Sequence, residues 1–101
     1  MSVAQQIVEE FIKNNAVVIF GKSYCPYCKR AKALLKDLGI EFVDIEIDLH
    51  PDGKQIQEYL FEKTGQRTVP NIFINQQHVG GCDDLLNANS NGTLEKLLNK
   101  Q

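Results

Sequence analysis

The sequence predicts an α/β fold: one domain, residues 1–101, built on a four-stranded mixed sheet flanked by helices. Three patterns carry that prediction. Residues 16–20, Ala-Val-Val-Ile-Phe, are apolar without alternation, which suits a strand covered on both faces. Residues 42–49 alternate, with Val43, Ile45, Ile47 and Leu49 on one side and Asp44, Glu46 and Asp48 on the other, as in a half-buried strand near a sheet edge. Residues 71–74 and 78–79 are short strands joined by Asn75-Gln76-Gln77, which reads as a hairpin.

Helices fill the intervals. Ser2 with Gln5 makes a capping-box pattern, and Val3, Ala4, Ile7, Val8, Phe11 and Ile12 recur at helical spacing until Asn14-Asn15. A second helix starts at Pro26. It has Ala31, Leu34, Leu35 and Leu38 as its buried stripe and Gly39 as its C′ residue. After the break at residues 50–53, a third helix spans 54–63 with Ile56, Leu60 and either Tyr59 or Phe61 inward, ending at Thr64-Gly65. Residues 84–88 form a short helix, residues 89–92 break it, and residues 93–99 form the last, with Leu94, Leu97 and Leu98 inward. The first two strands are parallel through a right-handed crossover helix; the last two pair as a hairpin.

Composition excludes several functions. At 101 residues, 43% hydrophobic and 24% charged, the chain matches an ordinary soluble domain. A net charge of −2 gives no electrostatic case for nucleic acid. The longest apolar run, residues 16–20, is too short to span a membrane. Residues 1–15 include Glu9 and Glu10 and no apolar segment of the kind a targeting signal uses. Three cysteines, two of them three apart, do not make a secreted disulfide framework, so a reducing compartment, most simply the cytosol, is expected.

The chemistry concentrates at Cys25-Pro26-Tyr27-Cys28. C-x-x-C at a strand–turn–helix junction reads as a dithiol redox motif. With Cys25 at the helix N-cap, Pro26 falls at N1, where its missing N–H costs nothing. The Cys25 sulfur then faces free backbone N–H groups and the positive end of the helix dipole, with Lys22 nearby, all of which favour thiolate. Cys28, one turn on, is the more buried thiol and the resolving one. Residues 22–36 hold five basic side chains and no acid, a positive field beside the thiols. A zinc site from Cys25, Cys28, Cys82 and His78 lacks the two close ligand pairs of structural zinc, and no metal is expected. Pro70 belongs at a strand end, since it cannot donate to a ladder; a cis Val69–Pro70 bond would turn the Val69 backbone outward toward an extended peptide. Gly80-Gly81-Cys82-Asp83 before a helix suits a carboxylate.

Together, Cys25-Pro26-Tyr27-Cys28, Thr68-Val69-Pro70 and Gly80-Gly81-Cys82-Asp83 resemble the dithiol glutaredoxin family over nearly the whole chain. The resemblance implies a thioredoxin fold with strand order 2-1-3-4. It implies glutathione-dependent reduction of protein–glutathione mixed disulfides and low-molecular-weight disulfides, with glutathione as reductant and Cys25 and Cys28 as the catalytic pair. Lys22 and Gln66, with Arg67, would hold the glycyl carboxylate of glutathione. Tyr27 would line the groove, and Val69, between Thr68 and a cis Pro70, would pair with the glutathione cysteine. Gly81, the Cys82 N–H and Asp83 would hold the γ-glutamyl end. The expected partners are glutathione and glutathionylated proteins, with glutathione reductase acting indirectly, and the expected state is a monomer. The alternative is an iron–sulfur cluster shared by a glutathione-ligated dimer, which Pro26 disfavours.

Overall fold

The computed structural model describes residues 2–99. Helix α1, Val3–Asn14, is capped by Ser2, whose Oγ accepts the Gln5 N–H at 3.1 Å. Ala4, Val8 and Ile12 are buried, but Val3 lies outside the core with 63% of its surface exposed. Helical Cβ vectors tilt toward the N-terminus, so the first residue projects beyond the elements the helix packs on. Strand β1 is Val17–Gly21, every residue buried. Helix α2, Pro26–Asp37, closes on Leu38 as C-cap and Gly39 at positive φ; Gly39 N–H bonds to Lys36 O and Ile40 N–H to Leu35 O. This double closure swings Leu38 outward and turns Ile40 onto the core in its place.

Strand β2, Val43–Glu46, is shorter than the alternating run. It stops where its partner stops, at the Gly21–Glu46 pair, and Ile47–Leu49 coil into one 3₁₀ turn that leaves Leu49 exposed. Helix α3, Gly53–Thr64, ends on left-handed Gly65. Tyr59 and Phe61 are both half-buried. Tyr59 faces α1, where its hydroxyl donates to Glu9, which also takes Lys63 Nζ at 2.8 Å. Strands β3, Asn71–Ile74, and β4, Gln77–Gly80, join through Asn75 and Gln76, both at positive φ. That is a two-residue primed hairpin, so Gln77 belongs to β4 and not to the turn. Helix α4 runs over Cys82–Ser90: it starts two residues before the expected span, because Gly81 already serves as its N-cap, and it ends two residues after that span. Helix α5 is Thr93–Leu98, with Leu94 buried and Leu97 and Leu98 packed at the margin.

The sheet order is β2-β1-β3-β4, with β1 and β2 parallel and the other neighbours antiparallel. Central β1 explains the unbroken apolar run. Val18 and Phe20 face a core roofed by α1 and α3, while Val17 and Ile19 face a second core roofed by α2 and α4. Phe20 meets Phe73 edge to face, ring centroids 6.0 Å apart. Both cores press the N-terminus of α2 and the start of β3 toward one end of the sheet. No helix among the described residues is long and apolar enough to cross a membrane.

Candidate active site

The β1–α2 junction sets the two thiols. Cys25 sits at the N-cap of α2 in extended conformation, with Pro26 as the first helical residue. Its Sγ accepts the Cys28 N–H at 3.1 Å, and its own N–H is taken by Lys22 O at 3.2 Å. A sulfur there meets one of the helix's otherwise unpaired N–H donors, and an anionic acceptor strengthens such a bond. Cys25 retains 8% of its surface and Cys28 only 1%. Burial pushes the Cys28 thiol up to about 12; its hydrogen bond with Cys25 adds to this, while a backbone bond from Lys22 and the charge of Lys32 oppose it. Cys28 therefore stays protonated at neutral pH. Both thiols are free, as is Cys82.

The loop before Cys25 is tied down from a distance. Asp48, in the 3₁₀ turn after β2, takes the Ser23 N–H on Oδ1 at 2.9 Å and the Ser23 hydroxyl on Oδ2. Ser23 holds the Asp48 carboxyl below its ordinary range, with Lys22 contributing through its charge.

Across from Cys25 lies the segment leading into β3. The Val69–Pro70 bond is cis, and Val69 O stands 3.8 Å from Cys25 Sγ. Beyond it a cavity of about 540 Å³ runs along the surface. Tyr27, Gln66, Thr68, Val69, Pro70, Gly81, Cys82 and Asp83 all line it, so three segments far apart in sequence meet in one groove. Asp84 lines it too. Asp84 falls within the short helix expected from sequence, and its position three residues after Gly81 is a cap signal. Its Oδ2 accepts the Gly81 N–H at 2.8 Å, closing the first turn of α4. Gly80, at φ +119, is required here, because a Cβ on it would fall 2.2 Å from that oxygen. The N–H groups of Cys82 and Asp83 belong to the first turn and have no partner within the helix. The Cys82 thiol is buried and pushed up, chiefly by burial; Asp83 and Cys25 add to the shift and Arg30 opposes it.

Two of the residues expected to hold glutathione stand apart from this groove. Lys22 is on the Cys25 loop and is not among the residues lining the cavity. Arg67 points away: its guanidinium stacks on Phe61 at 3.7 Å and lines a separate depression with Lys54, Gln57 and Glu58. Gln66 does reach the groove, but its Nε2 donates to Thr68 O and to Pro70 O, both at 2.9 Å. His78 pairs through Nε2 with Asn71 Oδ1 at 2.8 Å. Among the described residues no three His, Cys, Asp or Glu side chains are grouped to hold a metal ion.

A helix-capping thiol over a buried partner, beside a groove ending at a second helix N-terminus, is a geometry for thiol–disulfide exchange. Comparison with known proteins agrees. The glutaredoxin family model matches residues 17–79, more than half of the chain. The chain belongs to the glutaredoxin family. It is a thiol–disulfide oxidoreductase with the thioredoxin fold. This glutaredoxin is 56% identical to Glutaredoxin-1 of Rhizophagus irregularis over 98 residues, covering 97% of each chain. It is 50% identical to Glutaredoxin-C2 of Arabidopsis thaliana over 95 residues, 94% of this chain and 86% of that one. The crystal structure of a buckwheat glutaredoxin–glutathione complex superposes with a TM-score of 0.92 at 43% identity, covering 94% of this chain and 86% of that chain. The holo form of glutaredoxin C1 from Populus tremula x tremuloides gives 0.91 at 38% identity, covering 96% of each.

Proposed function

We propose that this glutaredoxin uses glutathione to reduce protein–glutathione mixed disulfides and low-molecular-weight disulfides in a reducing compartment, acting as a monomer. The observation that carries the reading is the inequality of the two thiols. Cys25 caps a helix and borders the groove, while Cys28 is sealed beneath it with its thiol pushed up to about 12. The buckwheat relative in complex with glutathione supports the choice of reductant.

In the proposed cycle the Cys25 thiolate attacks the glutathionyl sulfur of a mixed disulfide. The protein thiolate leaves and takes a proton, and Cys25 carries the glutathionyl group. A second glutathione thiolate attacks that glutathionyl sulfur, giving glutathione disulfide and regenerating the Cys25 thiolate. By the dithiol route Cys28 loses its proton and attacks the Cys25 sulfur, expelling glutathione; two further glutathiones reopen the intramolecular bond. Glutathione is a small anion with a carboxylate at each end. In the proposed pose Lys22 attracts the glycyl carboxylate, the Val69 backbone pairs with the central cysteine, and the Cys82 N–H with Asp83 receives the amine and carboxylate of the γ-glutamyl end beside Tyr27.

The test is turnover of a glutathionylated peptide, coupled through glutathione reductase, for wild type, Cys25→Ser and Cys28→Ser. The reading expects turnover by wild type, none by Cys25→Ser, and retained turnover by Cys28→Ser. A wild type without glutathione-dependent turnover rejects it.

A further inference from the structure

Gln66 stands where a carboxylate ligand is expected, yet its bonds say otherwise. A carboxamide nitrogen has two N–H donors and its oxygen only accepts. Both donors are spent, on the carbonyls of Thr68 and Pro70, which bracket Val69. What remains to face a ligand is Oε1, which repels a carboxylate. The residue is also fastened from behind. Its backbone N–H donates to Thr64 Oγ1 at 3.1 Å, and the same oxygen takes the Asn71 side-chain N–H at 3.3 Å, from the first residue of β3. A continuous set of bonds therefore runs from the end of α3 through Gln66 to the segment that carries Val69 O to within 3.8 Å of Cys25 Sγ.

We infer that Gln66 is a positioning residue that pins the Thr68–Val69–Pro70 backbone against Cys25, and that it does not bind the glycyl carboxylate of glutathione. The inference rests on the glutathione-dependent reading above. Its consequence is that the contribution of Gln66 does not depend on the glycyl end of the substrate.

The discriminating experiment compares two mixed disulfides of one peptide, with glutathione and with glutathione whose glycine is converted to the amide. Wild type, Gln66→Ala and Gln66→Met are measured on both, with circular dichroism and thermal unfolding as fold controls. Loosening the Val69 edge should lower kcat/KM about ten- to a hundredfold, and by the same factor on both substrates. A loss confined to the natural glycyl carboxylate and absent with the amide would overturn the inference and make Gln66 a ligand. No loss on either substrate would overturn it as well. Gln66→Met keeps the length and bulk of the side chain without its donors, so it carries the test if Gln66→Ala fails to fold. Wild type inactive on both substrates would sink the functional reading itself; an active wild type with the ligand pattern in the variants sinks this inference alone.

Discussion

A Cβ on Gly21 would stand 2.9 Å from the sulfur of Cys28 and 3.3 Å from its Cβ. Gly21 ends the central strand and Cys28 lies in the first turn of α2. The bare backbone of the one makes room for the sulfur of the other, which is how α2 can start so close over the strand end. Gly21→Ala should displace Cys28 from this seat and cost about 1–3 kcal/mol by overpacking. It should slow formation of the Cys25–Cys28 disulfide by glutathione disulfide more than it slows reactions of Cys25 alone. Thermal unfolding and rapid-quench mass spectrometry check both parts; an unchanged rate of disulfide closure would show that the seat is not needed.

Lys32 holds two carboxylates of β2 together. Its Nζ meets Asp44 Oδ2 at 2.8 Å and Glu46 Oε1 at 3.2 Å, while Glu46 Oε2 is buried without a partner. The neighbouring Asp44 is the main cause holding the Glu46 carboxyl above its ordinary value, and the Lys32 ammonium is correspondingly raised, first by Asp44. A raised carboxyl favours the fold when protonated, and that contribution is lost as pH rises through the folded value. At neutral pH the repulsion is therefore held in check by Lys32. Lys32→Met should cost roughly 1–3 kcal/mol at pH 7, between the limits for exposed and buried pairs. The deficit should shrink as pH falls toward 4.5, the ordinary value for Glu46. Denaturant unfolding at several pH values reads it, and a deficit that does not change with pH would contradict the account.

Asp48 works in the opposite direction. Ser23 holds its carboxyl below the ordinary 3.8, so its contribution is present above that value and is lost as pH falls through the lowered one. Asp48→Asn should lower the melting temperature at pH 7 and merge with wild type in strong acid. Freeing Ser23 loosens the loop that carries Lys22 and Cys25, so KM for glutathione should rise more than kcat falls. A variant with unchanged KM would confine Asp48 to a structural role.

The contrast between Asp48 and Phe20 shows what could be read from sequence. The sequence pattern exposed the strands and α-helices, though not the 3₁₀ turn at Ile47–Leu49, because two cores lie on the two faces of one sheet and residues such as Phe20 and Leu35 have no alternative to burial. Ends were harder, since they depend on partners. β2 halts with β1, not with its own alternation, which is why Leu49 is exposed and Asp48 becomes a loop clamp instead of a solvent-facing strand residue. The thiols and the groove could be read as motifs. The directions of Gln66 and Arg67 could not, because adjacent polar side chains chose different partners, two backbone carbonyls for one and the Phe61 ring for the other.

The account turns on Cys25 as the sulfur that takes the glutathionyl group. The most direct measurement traps that species. Cys28→Ser protein is mixed with a glutathionylated peptide, quenched in acid within one turnover, digested and mapped by mass spectrometry. The account predicts one glutathionyl group, on Cys25, with Cys82 unmodified. A glutathionyl group on Cys82, or none on the protein while the peptide is reduced, would contradict it.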